Sequence, residues 1–237
     1  MREFGQFVLE KVTKERPEAE TLALTIHGPG YGLDEREAFF SLIGGLHQAR
    51  IFHRSQLTEV QIVEKSAKRA TRLRLLLEGN GGRGGSSPVI TETDYLKEYG
   101  AKSETKLRLF VAMPFAPEYL DEYEIAFSEA AHRNGFLCER LDFETFVGDI
   151  FAELKKRILS SNGVIALLND NNPNVYLEIG YAMAQSKPVI LVAKKGTKIP
   201  FDVRGQRYLE YSRIGELREA LASDLSKLHR NGVLNKR

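Results

Sequence analysis

The sequence predicts an α/β protein. Its C-terminal half reads as a parallel sheet of about five strands covered by helices, behind a small N-terminal module that is α+β or mostly helical. Three observations carry this. From about residue 107 onward, strand-length apolar runs alternate with helical patterns, which predicts a parallel sheet with helices on both faces. Several runs, such as Gly163-Val-Ile-Ala-Leu-Leu168, are continuously apolar. A break, Gly79-Asn-Gly-Gly-Arg-Gly-Gly-Ser-Ser-Pro88, separates that half from what precedes it. The expected organisation is therefore a module over 1–78, a Gly-rich linker over 79–105 and an α/β domain over 106–237.

The N-terminal module opens with a strand, Thr21-Leu-Ala-Leu-Thr-Ile-His27, and a turn-rich loop, Gly28-Pro-Gly-Tyr-Gly32. Asp34 with Glu37 three residues on forms a capping-box pattern for a helix reaching about Ala49. A second helix is expected from near Ser55 to Leu77, because Val60, Val63, Ala67, Ala70, Leu73 and Leu77 recur at helical spacing. Its other face carries Lys65, Lys68, Arg69, Arg72 and Arg74. No aromatic platform accompanies these cations, so a solvated face is favoured over a nucleic-acid surface. The module is expected to sense, regulate or oligomerise. The apolar stripe offers a face for a second copy, so a homo-oligomer is expected.

The break contains Gly79-x-Gly81-x-x-Gly84, a literal dinucleotide fingerprint. That motif requires a strand before it and a helix after it. Here a helical run precedes it and Ser-Ser-Pro follows, which favours a linker.

In the C-terminal half the strands are expected at 107–113, 136–141, 163–168 and 188–193, with a fifth at 207–211. Helices are expected at 120–133, 150–160, 174–185 and 214–228. Asp149 reads as the cap of the second of these helices.

The segment with most chemical content is Asp170-Asn-Asn-Pro-Asn-Val-Tyr-Leu-Glu-Ile-Gly180. Asn172 can cap the helix and Pro173 fits its first position, where a missing N–H costs nothing. Glu178 falls in the second turn, near the positive end of the helix dipole, which is expected to favour its ionised form. Leu177 and Ile179 are expected to pack around it, and Gly180, Ala182 and Ala184 to permit close approach of backbone or ligand. A carboxylate just beyond the carboxyl end of a buried strand lies where open α/β sheets place their ligands.

Composition bounds the function classes. Of 237 residues, 42% are hydrophobic and 28% charged, and the net charge of +2 decides neither for nor against nucleic acid. The single cysteine, Cys138, cannot form an internal disulfide, which fits a reducing cytoplasm. No apolar run approaches the ~18–20 residues that span a bilayer, and the N-terminus lacks a signal-peptide core. A cytoplasmic protein without a membrane partner is expected. The histidines are scattered and no zinc spacing, Walker lysine motif or Gly-x-Ser-x-Gly elbow occurs, so no metal and no resident cofactor are expected.

Phe110-Val-Ala-Met-Pro-Phe115, Gly148-Asp-Ile150, Asn172-Pro-Asn-Val-Tyr-Leu-Glu-Ile-Gly-Tyr-Ala182 and Lys187-Pro-Val-Ile190 together resemble the nucleoside 2-deoxyribosyltransferase superfamily. With Pro200-Phe-Asp-Val-Arg204 they resemble more narrowly its bacterial TIR-like branch. The resemblance spans about residues 106–228. It implies a flavodoxin-like (Rossmann-like) sheet and a site between the Pro-Phe loop and the helix of Glu178. It also implies that Glu178 supports cleavage of an N-glycosidic bond. The transferases place an aspartate six residues before that glutamate to protonate the leaving base. Asn172 stands there instead, so Asp170 substitutes or the leaving group needs no proton, as with the cationic nicotinamide of NAD.

The expected function is therefore cleavage of an N-glycosidic bond of NAD or a nucleotide, NAD being a substrate and not a cofactor. A role in bacterial antiviral defence is implied by resemblance alone. The alternatives are a nucleoside 2-deoxyribosyltransferase or nucleotide N-glycosidase, and a module that binds a nucleotide signal without turning it over. Glu178 and Asp170 are the candidate catalytic residues. Met113, Pro114 and Phe115 would form an apolar lip for a base. Asp142 and Gly148 follow the second strand, with Asp142 a candidate for ribose hydroxyls. Asn172, Asn174 and Tyr181 lie beside Glu178, and Arg204 and Arg207 are candidates for a phosphate.

Overall fold

The computed structural model describes residues 1–26, 33–77, 105–141 and 149–235. The Gly28–Gly32 loop, most of the 79–105 segment, Asp142 and Gly148 lie outside the described residues. The chain divides into two compact units, the second beginning at Lys106.

In the first unit, α1 (Arg2–Glu15) packs on α2 (Glu35–His53), and β1 (Thr21–Leu24) pairs in parallel with β2 (Glu59–Ile62). The third helix, α3 (Ala67–Leu77), follows β2. Asp34 caps α2 by accepting from the Glu37 N–H at 2.9 Å, as its spacing predicts. The two helices meet at glycines. A Cβ on Gly45 would stand 2.1 Å from the Arg2 carbonyl oxygen, and one on Gly5 would stand 2.5 Å from that of Leu42. Leu9, Phe39, Phe40, Leu42 and Leu46 form the core beneath them.

This unit departs from expectation in three ways. The helix α1 has no counterpart in the sequence reading. The helix expected over 55–77 is a strand, a break and a shorter helix. Glu59-Val-Gln-Ile62 follows the two-residue period of a strand and gains a ladder with β1, which overrides the helical spacing of Val60 and Val63. Those two residues are 38% and 52% exposed, and Leu73 is the fully buried member of the supposed stripe. Nor is the basic face simply solvated. Arg69 and Arg72 both bond Glu35, and Arg69 also pairs with Glu64 at 2.7 Å.

The second unit is a five-stranded parallel sheet in the order β4-β3-β5-β6-β7. Its strands are β3 (Leu107–Ala112), β4 (Phe136–Glu139), β5 (Gly163–Leu167), β6 (Val189–Lys194) and β7 (Tyr208–Tyr211). Every neighbouring pair is parallel, as the alternating pattern predicts. Residues along β3 alternate between two cores. Leu109, Val111 and Met113 face α4 (Ser128–Arg133) and α8 (Ile214–Arg230). Phe110 and Ala112 face α5 (Ile150–Ser160) and α6 (Pro173–Ala184). A short α7 (Phe201–Arg204) precedes β7.

The helix expected over 120–133 is not uniform. It begins as a 3₁₀ turn (Pro117–Tyr119), widens to a π-helical turn (Glu122–Phe127), then tightens into α4. Such π-turns are rare and frequently accompany functional sites. On the edge strand, Glu139 is buried between two arginines: Arg108 Nη1 at 2.7 Å and Arg157 Nη1 at 3.4 Å. Lys187, within the motif that follows α6, donates to the carbonyls of Leu159 and Ser161 at 2.7 Å each, satisfying the end of α5. Among the described residues no helix is long and apolar enough to cross a membrane.

Candidate functional site at the switch point of the sheet

The chain runs outward from β3 to β4, then crosses back to β5 on the other side of β3. The strand order thus reverses between β3 and β5, where open α/β sheets leave a crevice at the carboxyl ends of their strands. The segments leaving those two strands are Met113-Pro-Phe115 and Asn169–Asn174, the stretches singled out from the sequence.

The turn after β5 is built by its own side chains. Asn171 adopts the left-handed region (φ 50°), which asparagine tolerates, and its Oδ1 accepts from the Tyr176 hydroxyl at 2.9 Å. Asn172 caps α6, its Oδ1 accepting from the Asn174 N–H at 2.9 Å, with Pro173 in the first helical position. The carboxamide of Asn172 is therefore engaged as a cap, while Asn174 is exposed.

Glu178 is on the inward face of α6 with Val175, Ile179 and Ala182, and only 5% of its surface is exposed. Among the described residues nothing hydrogen-bonds or ion-pairs with its carboxyl group. Burial without a partner pushes its pKa from 4.5 to about 8. This corrects the expected ionisation. The helix dipole acts within the first turn, and Glu178 lies beyond it, where desolvation dominates. Two neighbours also differ from expectation. Leu177 is half exposed and does not hold the carboxyl group. Gly180 is exposed, and a Cβ there would meet nothing within 4 Å, so no neighbouring backbone requires glycine. Tyr181 packs partly into the same core.

Asp170 is exposed and accepts a hydrogen bond from the Tyr119 hydroxyl. Burial, followed by the bond to Asp170, raises the pKa of that phenol well above its ordinary value, so Tyr119 stays a donor. Next to Asp170, Asn169 Nδ2 donates to the Tyr211 hydroxyl at 2.8 Å, and that hydroxyl donates to buried Glu122 at 2.7 Å. Asn169 Oδ1 accepts from the Lys194 N–H at 2.8 Å. The turn after β5 is thereby tied to the ends of β6 and β7 and to the π-turn.

Met113 and Pro114 are buried, Met113 within a core, while Phe115 is half-buried. Beside them stands Arg140, which follows β4. Its guanidinium lies 5.4 Å from the Phe115 ring centroid and 4.7 Å from that of Tyr123, with Nη1 3.9 Å from Met113 Sδ. Tyr123 is itself fixed by donating to the Cys138 carbonyl at 3.1 Å. The π-turn and the residues just before it thus supply Tyr119, Glu122 and Tyr123 to one edge of the sheet. Arg204 donates to the Ile199 carbonyl at 3.0 and 3.3 Å, and Arg207 pairs with Asp224 at 2.8 Å. Asp149 caps α5 through the Ala152 N–H, as expected.

The sequence reading passed over Tyr119, Asn169, Tyr211 and Arg140. Arg140 was hidden because the strand expected over 136–141 includes it, whereas the strand ends at Glu139. The hydrogen-bonded residues are distant in sequence and meet only through the topology. Among the described residues no group of three or more histidine, cysteine or acidic side chains could share a metal ion.

The fold is that of an α/β protein whose five-stranded parallel sheet changes direction of winding between β3 and β5. No family model matches the chain, and no curated protein matches it in sequence. Among solved structures it is similar to the CMP N-glycosidase BcmB of Clostridium botulinum, with a TM-score of 0.42 and 20% identity over 49% of this chain and 98% of that one. It is also similar to the TIR domain of the Toll-related receptor TRR-2 from Hydra magnipapillata, with a TM-score of 0.43 and 19% identity over 52% and 98% of the two chains.

Proposed function

We propose that the C-terminal unit cleaves an N-glycosidic bond of NAD or a nucleotide, with Glu178 as the catalytic carboxyl group. The observation that carries this is an unpartnered carboxyl group, buried on the inward face of the helix that follows β5, with its pKa pushed to about 8. Proteins seldom bury a carboxyl group without a partner, and perturbed groups of this kind cluster at active sites. The motif resemblance of the same segment supports the reaction class.

Cleavage of the C1′–N bond sends the bonding pair to the leaving base and builds positive charge on the ribose ring. A carboxylate in a dry site stabilises that charge far more than one in water. Water then adds to C1′ and gives its proton to Glu178 or to solvent, which yields free base and a ribosyl hydroxyl. A cationic substrate near Glu178 favours its ionised form, so nicotinamide nucleotides suit a carboxyl group whose pKa is raised by burial. Asn172, engaged as a helix cap, supplies no proton. A leaving group that departs neutral without protonation therefore fits best.

The same engagement of Asn172 favours a second reading, in which the crevice retains a nucleotide without turning it over. Incubation of wild-type protein and Glu178→Gln with NAD decides between them. Nicotinamide released by the first protein alone supports the enzyme. Intact NAD with both, accompanied by saturable binding, supports the retention module.

A further inference from the structure

Arg140 differs from the other arginines of its unit. Among the described residues there, Arg108, Arg133, Arg157, Arg207, Arg213 and Arg218 all pair with carboxylates. Arg204 and Arg230 donate to carbonyl oxygens. Arg140 alone has no oxygen acceptor. Its contacts are two aromatic rings and a thioether sulfur.

Glu139 next to it is already bonded by Arg108 and Arg157, so the adjacent carboxylate is not its partner. Ring contacts cover the faces of a planar guanidinium and leave its in-plane N–H groups for an acceptor. A partly buried cation with unused, coplanar donors matches the fork that binds phosphate oxygens bidentately.

Its place points to the same crevice. Arg140 follows β4 at the carboxyl edge and touches both Met113 and Phe115, which leave β3. Tyr123, under its guanidinium, is four residues beyond Tyr119, which bonds Asp170. The segment over Pro117–Phe127 thus carries both the phenol that bonds Asp170 and the ring that Arg140 covers.

We infer that Arg140 binds a phosphate group of the ligand, so that the crevice selects phosphorylated nucleotides over free nucleosides. This rests on the proposed reading of the crevice and adds its ligand class. Phe115 and Tyr123 act as positioning residues that hold the guanidinium in place.

The test is calorimetric titration of full-length Glu178→Gln, with Arg140 intact, changed to Gln, or changed to Lys. The probes are nicotinamide mononucleotide, nicotinamide riboside and inorganic phosphate. With Arg140 intact the mononucleotide should bind at least about tenfold more tightly than the riboside, the scale of a charge-assisted contact. Arg140→Gln should close that gap and abolish competition by phosphate. Arg140→Lys, which keeps the charge and ring contact but not the fork, should retain part of it. An equal gap in all three proteins, or no preference for the phosphorylated ligand in the first, overturns the inference. Glycosidic cleavage by wild-type protein that is indifferent to Arg140 also overturns it while leaving the proposed reaction intact. An Arg140-dependent gap without any cleavage sinks the reaction instead.

Discussion

A carboxyl group whose pKa is about 8 when folded and about 4.5 when unfolded opposes folding at neutral pH. The folded state holds its proton up to about pH 8, whereas the unfolded chain releases it from about pH 4.5. Stability is therefore fully retained below pH 4.5, falls between 4.5 and 8, and levels off above. At pH 7 the cost is roughly 3 kcal/mol, the scale of that shift. Glu178→Gln should accordingly raise unfolding stability at pH 7 by up to about that amount, with the gain vanishing near pH 4 in urea titrations. A variant no more stable than wild type at pH 7 would show that the carboxyl group has a partner. Such a cost at a site that burial could have filled with leucine is the usual mark of function over stability. The same pKa fixes the kinetics. If Glu178 acts as a carboxylate, kcat/KM should rise with pH to a plateau, with a midpoint near 8. A rate that falls through pH 8 would instead make Glu178 the proton donor.

At the scale of elements, the turn after β5 and the π-turn are held by few bonds, each with a stated cost. Tyr211→Phe leaves buried Glu122 and Asn169 without their shared hydroxyl. It should destabilise the fold by about 1–3 kcal/mol and weaken ligand binding through the displaced turn. A mutant with unchanged melting and affinity would sever that turn from the network. On the far edge, Arg157→Met leaves Glu139 with Arg108 and strips Glu153 of its guanidinium, and a loss of about 1–3 kcal/mol is expected in chemical denaturation. In the N-terminal unit, Gly45→Ala would place a methyl group into the Arg2 carbonyl and force α1 from α2, lowering the thermal midpoint. These elements also show what the sequence could convey. The helix over Ile150–Ser160 and the capped start of α6 follow from local chemistry and lie where their residues predict. β2 was misread because four residues carry too little periodicity to outweigh a helical pattern that straddles them. Its identity as a strand depends on β1, which pairs with it across α2. The π-turn has no local signature in Glu122–Phe127 that distinguishes it from an α-helix.

Across the whole molecule, the parallel sheet was legible because its strands are buried on both faces and therefore read as unbroken apolar runs. The switch point was legible for a related reason, since strand order and chain direction alone put it between β3 and β5. What could not be read was the protonation state of Glu178. That state depends on what surrounds its carboxyl group in three dimensions, and no partner comes from any described residue. Nor could the pairing of Asp170 with Tyr119 be foreseen, since the two lie 51 residues apart and meet only through the sheet topology. The measurement that tests the central claim most directly is chromatography of NAD, NADP, nucleosides and nucleoside monophosphates after incubation with wild-type protein and with Glu178→Gln. Release of nicotinamide or a free base by wild type alone is the predicted result. Equal release by both proteins, or intact ligands with both at low and high protein concentration, would contradict it.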